Sequence, residues 1–110
     1  MAEDQKAQRR VVSGSPAFVA ASRIDQDRDD VTFADALVLA RLVLERGGGP
    51  VPTRGKSAFT DPVTARRLAR LELAELDEGY GRSAGSYAKT VWTLSASEAG
   101  RQLVQSALAA

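Results

Sequence analysis

Basic side chains are the residues of this chain whose types and spacing are most suited to chemistry, and they are concentrated in the middle of the sequence. Between positions 52 and 70 there is one acid, Asp61, and there are five basic residues: Arg54, Lys56, Arg66, Arg67 and Arg70. Arginine can donate two parallel hydrogen bonds to a phosphate or to a guanine edge. This stretch therefore indicates contact with a phosphate-bearing partner; the alternative is an ordinary solvated surface.

The chain has neither cysteine nor histidine among its 110 residues. Disulfides, thiolate or imidazole metal sites and Ser-His-Asp catalysis are therefore excluded. Gly55-Lys56-Ser57 matches the end of a phosphate-binding loop, but the position five residues before Gly55 is Pro50 where that loop needs glycine. The remaining polar groups form no convincing catalytic pair, so we expect a protein that is not an enzyme and has no cofactor.

Length and patterning predict a single domain over residues 15–110, preceded by a flexible arm at 1–14. The first residues are polar, and the longest apolar run is far too short to span a bilayer. The formal net charge is only +1. These features predict a cytoplasmic protein without membrane association.

Two helices are predicted in the first half of the domain. Ser15 with Pro16 and Thr32 are typical helix starts, and Gly47 is a typical helix end. Asp35, three residues after Thr32, has the spacing of a capping box. The apolar residues of the second helix recur at helical spacing and predict a central place in the core: Phe33, Leu37, Ala40 and Leu44. Residues 47–52 are interpreted as a linker, and 53–59 as a short helical turn or loop with two exposed cations.

Asp61 and Pro62 predict the start of a third helix, which we expect to run to about Leu76. At 100 degrees per residue its apolar residues share one side, and its three arginines share the other. Acids at the next helical turn are missing, so the arginines are expected to be unpaired. Such a face suits contact with phosphates or bases, and a solvated amphipathic helix is the alternative.

A hairpin and a last helix are predicted to follow. Residues 78–83 and 87–94 read as two strands, with Arg82 and Lys89 close to the tip. Ser95 and Glu98 have the spacing of a capping box for the last helix. Gly100 would permit that helix to pack closely against a neighbour.

The sequences TARRLARL at 64–71 and WTLSASEAGR at 92–101 resemble the winged helix-turn-helix regulators, most closely the MarR-like and PadR-like groups. The resemblance covers about residues 32–108. It implies an α+β, mostly helical fold: a winged helix-turn-helix with a two-stranded wing and flanking terminal helices. The segment 52–59 departs from the pattern, since it is short for a first helix of the motif and contains Gly55.

The resemblance also implies a function, that of a sequence-specific DNA-binding transcriptional regulator, a repressor acting as a homodimer on double-stranded DNA. The helix from Asp61 would enter the major groove, the wing would reach the backbone or minor groove, and the preceding turn would meet phosphates. The implied contacts, in that order, are Thr64, Arg66, Arg67 and Arg70; Arg82 and Lys89; and Arg54, Lys56 and Ser57.

An acidic stretch favours a second hypothesis, a winged-helix module that binds protein and not DNA. Its four acids would lie beside any DNA contact, and the net charge is close to zero. These acids are Glu72, Glu75, Asp77 and Glu78.

Overall fold

The computed structural model describes residues 14–80 and 89–109, with the side chains of 78–80 and 89–92 left aside. This part of the chain has an α+β, mostly helical fold, as predicted. Its elements are α1 (Pro16–Asp27), α2 (Phe33–Arg46), β1 (Val51–Pro52), α3 (Pro62–Arg70), β2 (Ala74–Tyr80), β3 (Lys89–Ala96) and α4 (Glu98–Ala109). The predicted arm at 1–14 lies, except for Gly14, outside the described residues.

The first three helices begin at the capping residues that the sequence indicates. The side chain of Ser15 accepts from the Phe18 amide at 3.2 Å, and that of Thr32 from the Asp35 amide at 3.1 Å. Asp61 accepts from the Thr64 amide at 3.1 Å. Each of these bonds satisfies one amide that has no partner within its helix.

Helix α3 is shorter than predicted, because it ends at Arg70 and not at Leu76. The Leu73 amide donates to the Leu68 carbonyl at 3.0 Å, and Glu72 adopts a left-handed φ of 64°. This geometry is a helix-ending turn that reverses the chain. The acids Glu75 and Asp77 consequently lie on β2, whereas the sequence pattern predicts them at the C-terminal end of the helix.

The three strands form one antiparallel sheet in the order β1-β3-β2. The antiparallel pairing of the predicted hairpin is confirmed, but its ladder begins earlier, with Ala74 opposite Ala96, and is described as far as Tyr80 opposite Lys89. The predicted strand residues 81–83 and 87–88 and the predicted tip lie outside the described residues. Strand β1 was not expected, since 47–52 was interpreted as a linker. Val51 is 2% exposed and lies opposite Leu94 of β3, so this short stretch pairs with β3 and forms one of the two edges of the sheet.

Helix α4 begins two residues later than the predicted cap, because Ser95 and Ala96 still belong to the ladder of β3. Ser97 is the capping residue, and its Oγ accepts from the Gly100 amide at 3.0 Å. The same hydroxyl donates to the Glu72 carbonyl at 2.7 Å. Gly100 backs onto the Leu73 carbonyl so closely that a Cβ atom would collide with it. The close packing expected at this glycine is confirmed.

Helix α2 lies at the centre of the core, as predicted. Ala36, Leu39, Ala40 and Leu42 have no exposed surface, although Leu44 is 38% exposed. Helix α1 packs against α2 and α4, while α3 packs against α2 and β2. Helix α3 and the hairpin are thereby held together against one central helix. Within the described ranges, none of the helices has the length and apolarity needed to cross a membrane.

Candidate nucleic-acid interface

The outer face of α3 carries the three arginines that the sequence singles out. Arg66, Arg67 and Arg70 are exposed, whereas Ala65 and Leu68 are fully buried. This division follows from the helical repeat, which places residues 65 and 68 on one side of the helix. The predicted basic face of α3 is therefore present.

Arg67 forms a bidentate ion pair with Asp35 of α2. Its Nε lies 2.8 Å from Asp35 Oδ2, and its Nη2 lies 2.9 Å from Asp35 Oδ1. The Asp35 side chain is 5% exposed and that of Arg67 is 48% exposed. The hydrogen bonds that Arg67 donates to Asp35, and then the negative charge of Asp35, raise the pKa of Arg67 above its ordinary value. The expectation that Arg67 has no acidic partner is wrong, because the partner lies on another helix.

Thr64 lies below the surface and belongs to the same network. It is 8% exposed, and its Oγ1 donates to Asp61 Oδ1 at 2.7 Å. Thr64 Oγ1 also accepts a hydrogen bond from Arg67 Nη2 at 3.1 Å. The hydrogen bonds from the Thr64 hydroxyl and amide lower the pKa of Asp61. Thr64 thus orders the start of α3, and its hydroxyl is not presented for contact with a partner.

Arg70 lies beside a shallow cavity of about 200 Å³ between α3 and the start of α2. The cavity is lined by Asp30, Thr32, Asp35, Arg67, Arg70 and Leu71. Its two acids are already engaged, Asp35 with Arg67 and Asp30 with Arg28 at 2.6 Å. Arg70 itself has no ion-pair partner among the described residues. Its guanidinium is therefore accessible for an external anion.

The segment between β1 and α3 is a loop, which is one of the two forms predicted for it. Arg54, Lys56 and Ser57 are all exposed there. Gly55 has a φ of 83°, and the Phe59 amide donates to the Pro52 carbonyl at 2.8 Å. No first helix of a helix-turn-helix is formed in this segment, so its two cations are carried by a closed loop.

Two arginines that the sequence did not single out lie against this loop. Arg41 and Arg46 of α2 place their guanidinium carbons 5.4 and 5.2 Å from the centre of the Phe59 ring. Arg41 also contacts Glu45 at 3.2 Å. The sequence signal for this cluster was Phe59 itself, the one large apolar residue of an otherwise polar loop.

The two wing residues of the predicted site are placed only in part. Lys89 begins β3 opposite Tyr80, and its side chain is outside the described residues. Arg82 also lies outside them. Their contact with DNA stays a prediction.

Comparison of the chain with models of protein families, with curated proteins and with solved structures gives no match. In the part of the chain that the structure describes, no three acidic side chains are grouped to hold a metal ion.

Proposed function

We propose that the protein is a DNA-binding transcriptional regulator that inserts α3 into the major groove. One observation carries the proposal: α3 is capped and packed on its inner face, exposes Arg66 and Arg70 on its outer face, and leads at once into a two-stranded hairpin. A helix followed by a hairpin is the arrangement implied by the resemblance to winged helix-turn-helix regulators. The loop at 53–60 takes the place of the first helix of that motif.

The cross-section of α3 suits the major groove of duplex DNA. An α-helix with its side chains is about 10–12 Å across, and the major groove is about 12 Å wide. Arg66 and Arg70 are one turn apart, so their Cα atoms are separated by about 6 Å along the axis. Two guanidiniums at this separation can reach neighbouring base edges or a base and a phosphate.

Arg67 supports the proposal in a different way. Its bond to the buried Asp35 fixes α3 against α2, and the Asp61–Thr64 network fixes the first turn of the helix. A rigid support of this kind lowers the cost of ordering the contact residues when DNA binds. We therefore assign Arg66 and Arg70 to contact and Arg67 to positioning.

The experiment that tests the proposal is a fluorescence-anisotropy titration with duplex DNA at about 50 and 200 mM salt, where counterion release makes phosphate binding strongly salt-dependent. The variant R66Q/R70Q should lose at least tenfold in affinity, since each base-reading arginine contributes about 1–3 kcal/mol. The matched control is R28Q, whose arginine is already bound to Asp30. A wild-type protein without salt-sensitive binding would contradict the proposal.

Sequence specificity and dimerisation are tested separately. Selection from a random duplex library should yield a sequence with twofold symmetry, because a homodimer presents two equivalent α3 helices. Repression is tested with that sequence placed upstream of a reporter. If the selection enriches no sequence, the protein binds DNA without sequence specificity, and the proposal of a sequence-specific regulator is wrong.

An acidic strand favours protein binding as the second candidate function. Glu75 and Asp77 are exposed on β2, which packs against α3. These carboxylates would repel phosphates and attract a basic protein surface. If the second function holds, E75Q/D77Q abolishes binding to a basic partner, whereas R66Q/R70Q leaves it unchanged. If DNA is the partner, E75Q/D77Q should instead strengthen DNA binding.

A further inference from the structure

We propose that the DNA interface extends beyond α3 to Arg41 and Arg46 of α2, which bind backbone phosphates flanking the groove. This inference rests on the proposed function and adds two contact residues at a separate surface. We call this surface the Phe59 cluster, consisting of Arg41, Arg46 and Phe59.

The Phe59 cluster orders two guanidiniums before any ligand arrives. Both lie within about 6 Å of the ring centre, the distance at which a cation is attracted to an aromatic face. Arginine can stack on a ring and still present its N–H groups at the edge of the guanidinium plane. Phe59 is itself held by the hydrogen bond from its amide to the Pro52 carbonyl and by packing against the core. Two preordered donors of this kind suit phosphate oxygens.

The position of the Phe59 cluster along α2 places it near the groove that α3 would occupy. Asp35 marks the point at which Arg67 of α3 is bound, and Phe59 lies two residues before Asp61, the cap of α3. Arg41 and Arg46 are six and eleven residues beyond Asp35, which corresponds to about 9 and 16 Å along the helix. These separations are comparable with the width of the major groove, about 12 Å, so one duplex can contact both surfaces.

The charges around the Phe59 cluster also favour phosphate. Arg54 and Lys56 are exposed in the loop that contains Phe59, and together with the two arginines they make four cations. The acid in direct contact with the cluster is Glu45, which is 46% exposed and pairs with Arg41 at i,i+4 spacing. Exposed pairs of this type are weak, so a phosphate can replace Glu45 as the partner of Arg41.

The test is the salt dependence of DNA binding by R41Q/R46Q. Each phosphate contact contributes about 0.9 to the slope of log affinity against log salt, so the slope should fall by about 1.8. The loss of affinity should be the same for a selected sequence and for a random duplex, because phosphates carry no sequence information. E45Q should bind DNA more tightly than the wild type.

Two controls separate this inference from its alternatives. R28Q removes one partly exposed arginine at another place on the surface and should leave the slope unchanged. F59L keeps both arginines but removes the ring, and it should lower the affinity severalfold with a smaller change in slope. Thermal melts establish whether each variant is folded. If F59L does not fold, R41Q/R46Q alone decides whether the DNA interface extends over α2.

The possible failures are distinguishable. If the wild type shows no salt-sensitive binding, the proposed function itself is wrong. If the wild type binds and R41Q/R46Q retains its affinity and slope, α3 is the interface and the extension over α2 is wrong.

Discussion

Three arginines lie within five positions on the exposed face of α3. One of them, Arg67, is bound by a buried carboxylate of another helix. A charge pattern along one helix cannot reveal this ion pair, because its acid lies 32 residues earlier in the chain. Arg67, which the charge pattern does not distinguish from Arg66 and Arg70, thus has a structural role.

The ion pair predicts that R67Q lowers the melting temperature more than R70Q does. Removing Arg67 leaves the Asp35 carboxylate buried without its charged partner, which is a costly state for an ionised group. Circular dichroism melts of the two variants at neutral pH measure the difference. The double variant D35N/R67Q should be less destabilised than the sum of D35N and R67Q, because the two side chains interact directly. Equal melting temperatures for R70Q and R67Q would contradict this assignment.

Asp61 predicts a pH-dependent contribution to stability. Its pKa in the folded protein lies below the ordinary 3.8, chiefly because the Thr64 hydroxyl donates to the carboxylate. A lowered folded pKa means that the contribution is fully present above the ordinary value and is lost as the pH falls through the folded value. The stability difference between the wild type and D61N should therefore shrink as the pH falls from neutral to below 3.8.

Urea titrations across that pH range measure the difference. D61A is the matched variant for the cap itself and should cost about 1 kcal/mol at neutral pH, a typical value for loss of a capping side chain. A pH-independent difference between wild type and D61N would show that the ionised form of Asp61 contributes nothing specific.

The residues that cap the first three helices could be predicted from the sequence, whereas the residues that join helices could not. Ser15, Thr32 and Asp61 act on amides three positions away, so their signal is local. Asp35 carried a local signal as well, that of a capping box, but its carboxylate binds Arg67. A contact between distant positions leaves no mark in the spacing of either partner.

The turn between α3 and β2 is the element in which the sequence pattern and the structure differ most. Leu71, Leu73 and Leu76 fit a helical repeat, and for this reason the helix was expected to continue. The chain instead turns at Glu72, whose φ of 64° is normally adopted by glycine or asparagine. Without glycine at this position, the sequence contains no recognisable signal for the end of the helix.

The turn predicts that E72G is neutral or stabilising by up to about 1 kcal/mol. Glycine at this position removes the steric cost of a left-handed residue, which is about 1–2 kcal/mol and is partly offset by the entropy of glycine in the unfolded chain. The matched control is E75G, which lies in β2 and should be destabilising by about 1 kcal/mol. Chemical denaturation of both variants tests the prediction. A loss of stability in E72G comparable with that in E75G would show that the turn is not strained.

At the scale of the whole molecule, the net charge of +1 conceals a separation of charge between elements. The exposed face of α3 and the loop before it are basic, while β2 exposes Glu75 and Asp77. The order of the elements could be predicted, because helix and strand periodicities are local. Strand β1 could not, because two residues are too few to show a period and Val51 is recognised as a strand residue only through its partner Leu94.

A homodimer predicts a mass in solution of twice the 11.7 kDa of one chain. Light scattering after size-exclusion chromatography measures this mass. If the dimer binds a twofold operator, the two Arg66 residues should lie about 34 Å apart, one turn of the double helix. Distances between spin labels at position 66 test the second expectation. A mass of one chain both with and without DNA would contradict the dimer and leave the contact residues of α3 unaffected.

The start of α4 joins two turns that are far apart in the sequence. The Ala96 amide donates to the Gly48 carbonyl at 2.9 Å, the Ser97 amide to the Leu73 carbonyl at 3.2 Å, and the Ser97 hydroxyl to the Glu72 carbonyl. The turns after α2 and after α3 are therefore both held by neighbouring donors, the Ala96 amide and the amide and hydroxyl of Ser97. The exposed loop at 54–58 is instead closed between its own ends, by the hydrogen bond from the Phe59 amide to the Pro52 carbonyl, and lengthening it between these ends costs mainly loop-closure entropy. Descendants of this sequence can accordingly gain or lose residues in the basic loop, whereas insertions in the two turns would separate α4 from the sheet.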